Sequence, residues 1–395
     1  MEQTKPKKTV SRTKAVIACV LCLVIGGGAA LAGVWACIGT DGLALLQADR
    51  LSREKFVGEY DATTHREATL ETMVDSLGDR WSYYLTPEEY ENVRDTRKNA
   101  YVGIGVTVSR EGAGNGLLIL AVTPGGPAEE AGLAAGEIIR SVDGQGVTQE
   151  NQDAIMDAIK GTEGTTVQLE VEGTDGARRT VEVERRTVRG VTAQWTMLEG
   201  NVGLITIQNF YEGTADLVSQ GVEELTGQGA RALVLDVRNN PGGYVTELTQ
   251  ILDLLLPEGD IFVSRTKDGS ESVYTSDADC VDLPLAVLVN GESYSAAEFL
   301  AAQLRESAGA VVAGTRTSGK GYSQMLYRLA DGSAIGLSTA RYYTGGGVSL
   351  IGTGLDPDPS VALTQEAEEK LLVGQLPYEE DLQLQAAIRA LNLDS

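Results

Sequence analysis

The chain has 395 residues, is 42% hydrophobic and 22% charged, and carries 47 glycines and a formal net charge of -24. That describes a globular chain of two or three domains and not a disordered one, and so acidic an exterior repels phosphates and argues against nucleic acid as a partner. A single histidine, His65, and four cysteines, three of them (Cys19, Cys22, Cys37) in one apolar stretch, leave no disulfide framework and no Cys-Cys zinc pattern; no metal or cofactor is expected, and any His-based triad would have to use His65.

Residues 1–14 form a basic stub with Lys5, Lys7, Lys8, Arg12 and Lys14 against Glu2. Its charge of +4 leaves -28 on the chain beyond the uncharged run Ala15–Ile38. That run has 24 residues, enough to cross a bilayer, which takes roughly 20. The basic flank keeps the N-terminus cytoplasmic and the bulk of the chain outside. A cleaved signal peptide competes, because Ala30-Leu31-Ala32 is similar to a cleavage site. The length of the run favours an uncleaved, single-pass signal anchor (15–38) in the cell membrane.

Residues 41–98 read as a helical lead-in, with Leu51, Phe56, Tyr60, Leu70, Met73 and Leu77 near helical spacing. Thr86-Pro87-Glu88-Glu89 predicts an N-cap with proline at the first helical position. Residues 99–187 turn β-rich: VGIGVTV, GLLILAV, TVQLEVEG and RRTVEVERR surround TPGGPAEEAGLAAGEIIRSVDG and a helix at 152–161. The P-x-x-x-A-G-L-x-x-G-E-x-I-x-x-V-D-G run resembles a PDZ domain of the circularly permuted bacterial kind. Gly103, Ile104, Gly105 and Val106 are similar to its carboxylate-binding loop, where successive N–H groups cup a chain end while a sheet edge takes the peptide as an added strand.

Residues 188–362 read as α/β. Apolar strands at 202–207, 232–237, 285–290 and 310–314 alternate with helices, including 246–256 and 296–307, as in βαβ units with a covered sheet. The tail, 363–395, is acidic and helical. Its Leu371, Leu372, Leu382, Leu384 and Ile388 offer either a homodimer or docking face, or a cover for the main core.

Three short runs carry chemistry. In GESYSAAEF, Ser295 falls on a sharp strand-to-helix turn that exposes a nucleophile. The Ala296 N–H opens the following helix without an intrahelical partner, and suits an oxyanion. In SGKGYSQ, Lys320 stands between glycines; it serves as a base only if burial keeps it neutral, and Gln324 can orient its amine. In DVRNNPGG, a tight turn presents the unobstructed N–H groups of Gly242 and Gly243, one of which can be a second oxyanion donor. Alone, each has a bland reading: a helix cap, a surface lysine, an αβ turn.

Together, D-x-R-x-N-P-G-G, S-x-S-A-x-E and G-K-G-x-x-Q resemble the carboxy-terminal processing peptidases, or tail-specific proteases, over about residues 70–362. The resemblance implies a crotonase/ClpP-like α/β catalytic core (188–362) with an inserted PDZ domain (99–187). It implies Ser295 as nucleophile, Lys320 as base, Gln324 as the residue orienting Lys320, and oxyanion donors from Ala296 and the Gly242-Gly243 turn. Glu298 matches an acidic family position, and 352–361 matches the closing motif. Tyr294 and Ala297 depart from the family's usual alanine and serine, which bears on substrate preference; Ser293 lies two residues too early to be the nucleophile.

The function expected is thus a serine endopeptidase acting on unfolded or partly folded proteins with apolar C-termini, recognised through the PDZ domain. Competing readings are a PDZ adaptor on a dead hydrolase core, a trypsin-like PDZ protease relying on His65, and a crotonase-like acyl-CoA enzyme.

Overall fold

The structure, a computed structural model, describes residues 39–110, 114–123, 125–372 and 374–393, with Gly33 and Ala36 before them. The basic stub and nearly all of the expected anchor lie outside the described residues, and among these no helix is long and apolar enough to cross a membrane. The chain divides into two compact units, 1–73 and 74–395. In the first, a helix whose described part runs 39–55 (α1) precedes α2 (Ala62–Asp75). The ring of His65 lies 5.3 Å from that of Tyr60, whose hydroxyl donates to Asp49.

The second unit opens with β1 (Tyr83–Leu85) and α3 (Pro87–Arg97). Thr86 caps α3 as expected: its hydroxyl accepts from the Glu89 amide, and the Glu89 carboxylate accepts from the Thr86 amide. The strand β1 departs from an all-helical lead-in. Its partners, Ala334 to Gly336, come about 250 residues later in the chain, so nothing local announces it.

The β-rich segment comprises β2 (Ala100–Gly103), β3 (Val106–Ser109), β4 (Leu117–Val122), α4 (Pro127–Glu130), β5 (Ile138–Val142), β6 (Gln145–Gly146), α5 (Gln152–Ile159), β7 (Thr166–Glu172), β8 (Arg178–Glu184) and β9 (Arg186–Arg189). Its sheet runs β3-β4-β5-β7-β8, with β6 beside β5, around a core that includes Ile104, Leu117, Ile139, Ile155 and Leu169. The antiparallel pair β2–β9 closes the segment, and β3 stays an edge strand.

The catalytic-core region begins with β10 (Ala193–Leu198) and β11 (Val202–Ile207), then α6 (Thr214–Gly227), β12 (Ala232–Asp236), α7 (Val245–Leu255), β13 (Gly259–Thr266), β14 (Glu271–Ser276), β15 (Leu285–Val289), α8 (Ala296–Ala308), β16 (Val311–Gly314), β17 (Tyr322–Arg328) and β18 (Ala334–Tyr343). One sheet runs β10-β11-β12-β15-β16, parallel except for β10. Its apolar strands are continuous because both faces are buried. Leu233, Leu235, Val287 and Val289 pack with residues of α6, α7 and α8, while Val234, Ala286 and Leu288 face the other way. A second, antiparallel sheet joins β1, β18, β13 and β14, with β17 also on β18.

The tail supplies α9 (Gln365–Leu372) and α10 (Leu382–Ala390). Leu384 and Ala387 are buried on the second face of the parallel sheet and Ile388 packs beside them, so α10 covers the core; Leu372 and Leu382 stay exposed. Asp381 caps α10 through the Gln383 and Leu384 amides. Its carboxylate also binds the buried Arg238 guanidinium at 2.7 Å, which Asp236 holds at 2.5 Å on the same strand end.

Candidate active site

Parallel strands place their carboxyl ends side by side, where side chains on the following turns converge. β15 delivers residues 290–295 there, and β12 delivers the Arg238–Gly243 turn. Ser295 adopts φ 53° and ψ -115°, a sparsely populated conformation for a residue with a Cβ and the geometry of a sharp strand-to-helix turn. The surroundings over-determine it. The Tyr294 amide donates to the Asn240 carbonyl at 3.0 Å, and the Ser295 amide donates to Glu298 at 3.1 Å. Ser293 is wholly buried, donating to the Val237 carbonyl at 2.8 Å while accepting from the Asn290 amide, so it serves the turn and not the cleft.

Glu298, for which the sequence suggested no role, joins the Ser295 turn to the segment that carries Lys320. Its buried carboxylate accepts from the Ser295, Gly319 and Lys320 amides and from the Thr317 and Ser318 hydroxyls, at 2.7 to 3.3 Å. Burial pushes this carboxyl up, and hydrogen bonds from Thr317, Gly319, Lys320 and Ser295 pull against that.

The Lys320 amine is pushed down to about 8, first by burial and then by the Arg97 charge; Glu298 and Asp79 act in the opposite sense. Its Nζ donates to Gln324 Oε1 at 2.8 Å and lies 5.1 Å from the Trp81 ring centroid. A register shift in β17 between Ser323 and Gln324 aims the glutamine, whose Nε2 donates to the Trp81 carbonyl. The Tyr342 hydroxyl donates to the Lys320 carbonyl and stands beside Ser295; full burial keeps this phenol protonated. Among the described residues no hydrogen bond joins Lys320 Nζ to the Ser295 hydroxyl. Trp81 and Tyr342 went unnoticed in the sequence, and Trp81 carries no motif that would have found it.

The two glycines of the turn differ. The Gly242 amide donates to Asn240 Oδ1 at 2.8 Å, so that N–H is already engaged. Gly242 has φ 86°, and a Cβ there would come within 3.0 Å of both the Ser295 Cβ and the Ala296 nitrogen; it makes room for Ser295. The Gly243 and Ala296 amides have no acceptor among the described residues. A Cβ on Gly243 would fall 2.3 Å from the Phe210 carbonyl oxygen. Ser295, Ala296, Gly243, Lys320 and Gln324 line one cleft of about 580 Å³.

A second groove, of about 790 Å³, lies between the edge strand β3 and α5, with Gly103 to Val106 at its end. The Ile104 and Gly105 carbonyls are tied to the Ala128 and Thr123 amides, and their own amides have no acceptor among the described residues. The Ile104 side chain fills the domain core.

Comparison with known proteins agrees with this anatomy. The model of peptidase family S41 matches residues 201–361, and that of the PDZ domain matches 92–172. The chain is 30% identical to the carboxy-terminal processing protease CtpA of Bacillus subtilis (strain 168), over 92% of this chain and 77% of that protein. It is 32% identical to the carboxyl-terminal-processing protease of Synechocystis sp. (strain ATCC 27184 / PCC 6803 / Kazusa), over 86% and 80%. It is also 32% identical to the chloroplastic C-terminal processing peptidase of Tetradesmus obliquus, over 71% of this chain but only 65% of that one. Two further curated relatives are spanned over 60% and 62% of their lengths. A solved structure assigned to the S41 proteases, from Bacteroides fragilis NCTC 9343, superposes with a TM-score of 0.51 at 19% identity, covering 88% of this chain and 97% of that one, and shows the shared fold. With the Bacillus and Synechocystis relatives matched over more than three quarters of their lengths, the chain belongs to the carboxy-terminal processing peptidases of family S41, with a PDZ domain.

Proposed function

We propose that the chain is a serine endopeptidase of the Ser-Lys type, cleaving unfolded or partly folded proteins whose C-termini its PDZ groove captures. The observation that carries this is the Lys320 amine, half-buried, lowered to about 8 and held by Gln324 in the cleft that Ser295 enters. In the reaction, Lys320 Nζ takes the Ser295 proton as Oγ bonds to the scissile carbonyl carbon. The oxyanion rests on the Gly243 and Ala296 amides. The protonated lysine then gives its proton to the leaving amine, and water, deprotonated by the same lysine, releases the acyl group.

In the structure Lys320 donates to Gln324, and Ser295 stands beside Tyr342. The same reading makes residues 15–38 a single-pass anchor in the cell membrane, with the basic stub cytoplasmic and the peptidase outside. It is supported by the charge pattern of the first forty residues.

The test is cleavage of an unfolded substrate with an apolar C-terminus by Ser295→Ala and Lys320→Ala. Each is expected to lose roughly 10³-fold or more in kcat/KM. Undiminished cleavage by either variant sinks the Ser-Lys mechanism. Tight peptide binding without cleavage by the unsubstituted protein would favour a PDZ adaptor instead.

A further inference from the structure

We infer that Trp81, contributed by the lead-in ahead of the PDZ domain, is a positioning residue for the general base, its ring covering the Lys320 amine and its carbonyl setting the orientation of Gln324. The inference rests on the Ser-Lys reading of the cleft and adds to it a part that no catalytic motif contains.

The geometry starts at the glutamine. A backbone carbonyl only accepts, so Trp81 O selects the NH₂ end of the Gln324 amide. The Oε1 end is then turned to Lys320 Nζ, which it meets at 2.8 Å. An amide in the opposite sense would present N–H groups to the lone pair that a neutral amine needs for the Ser295 proton. One backbone atom of the lead-in thereby fixes the partner of the base, and the amine's remaining directions stay open toward the cleft.

The ring acts on the same amine from another side. Its centroid lies 5.1 Å from Nζ, and it meets Tyr294, the residue before the nucleophile, edge to face at 6.1 Å. The Arg80 guanidinium sits 4.2 Å from the same ring. Two effects oppose each other there. The face of an indole favours a cation, whereas taking an ammonium out of water disfavours it. The charged groups around Lys320 are Arg97 on α3, Glu298 on α8, and Asp79 on the lead-in. Two of these three favour the protonated amine, yet the amine is depressed, with burial as the leading cause. Burial therefore outweighs these charges, and the indole, 5.1 Å from Nζ, is part of what surrounds the amine.

Trp81 is also held by the turn that leads into β1. The Trp81 amide and the Ser82 hydroxyl donate to Asp79, and Ser82 Oγ accepts from the Ser338 amide at 3.1 Å. Tyr83 pairs with Gly336, where a Cβ would lie 2.6 Å from the tyrosine ring. Docking of β1 on β18 thus brings the base its cover and its oriented amide in one step.

The test is the pH dependence of kcat/KM for Trp81→Ala and Trp81→Phe, with thermal unfolding measured alongside and Lys320→Ala assayed in parallel. The unsubstituted enzyme is expected to gain activity through a midpoint near 8. In W81A water reaches the amine, and the midpoint should rise by about one pH unit, toward the ordinary lysine value, with roughly tenfold lower kcat/KM at pH 7 and recovery at higher pH. W81F keeps the cover, and its midpoint should stay within about 0.3 of the original. A folded W81A with an unmoved midpoint overturns the inference. Should W81A fail to fold, Trp81→Leu, which uncovers part of the amine, must shift the midpoint in the same direction, and an unmoved midpoint there overturns it too. Activity retained by Lys320→Ala would instead strike at the Ser-Lys reading itself.

Discussion

At the scale of single residues, the site is a set of compromises between burial and charge. In the proposed reaction Lys320 is the base, and burial has brought its amine toward neutral pH. Its folded value lies below the ordinary one, so the neutral, competent form is gained as pH rises. Below about pH 8, kcat/KM should rise roughly tenfold per pH unit and then level off. A profile flat from pH 6 to 9 would show that this amine does not govern the reaction. The same depression costs stability that is fully present below the folded value and is relieved between about 8 and 10.5. Glu298 makes the complementary compromise: a carboxylate taken wholly out of water is tolerable because five donors surround it, and those donors come from the two segments whose relative placement matters.

At the scale of elements, the second face of the parallel sheet depends on α10 and on the ion pairs at its start. Arg238, Asp236 and Asp381 are nearly inaccessible, so removing one partner leaves a buried charge short of compensation. Asp381→Ala should lower unfolding stability by about 3 kcal/mol. Asp381→Asn should cost less, since asparagine still caps the helix. Denaturant unfolding that finds both variants equal to the parent would show that the tail contributes little.

The same scale explains what the sequence revealed. The strands at 202–207, 232–236, 285–289 and 311–314 were legible because burial on both faces makes them continuously apolar. The antiparallel sheet was not. Every residue of β17 is half-buried or exposed and its pattern carries no period, while β1 has only three residues. The site divides likewise. Ser295, Lys320 and Gln324 stand in motifs, and Thr86 in a capping box. Trp81 reaches Gln324 across 243 residues of chain, and which turn glycine keeps a free amide depends on where the Asn240 side chain points. Such facts belong to tertiary contact and leave no local trace.

At the scale of the whole molecule, one helix serves two cavities. Tyr90, Arg94 and Arg97 of α3 line the cleft that holds Ser295 and Lys320, while Asn92, Asp95 and Thr96, on the opposite face, line the second groove. The same helix carries Arg97, whose charge acts on Lys320. Amidating a substrate's C-terminus should slow its cleavage several-fold, through loss of one charge-assisted contact set. Equal rates for free and amidated substrates would argue against capture of chain ends by the groove.

The Arg238–Asp381 pair has a consequence in time. The two residues are 143 positions apart, and vectorial synthesis makes the first long before the second. A nascent chain that has reached residue 380 already contains Ser295, Lys320, Gln324 and both glycines, but the Arg238 guanidinium still lacks its second carboxylate. The buried cation and the sheet face beneath α10 are completed only when the tail arrives, so a growing chain contains every residue of the candidate site well before its core is finished.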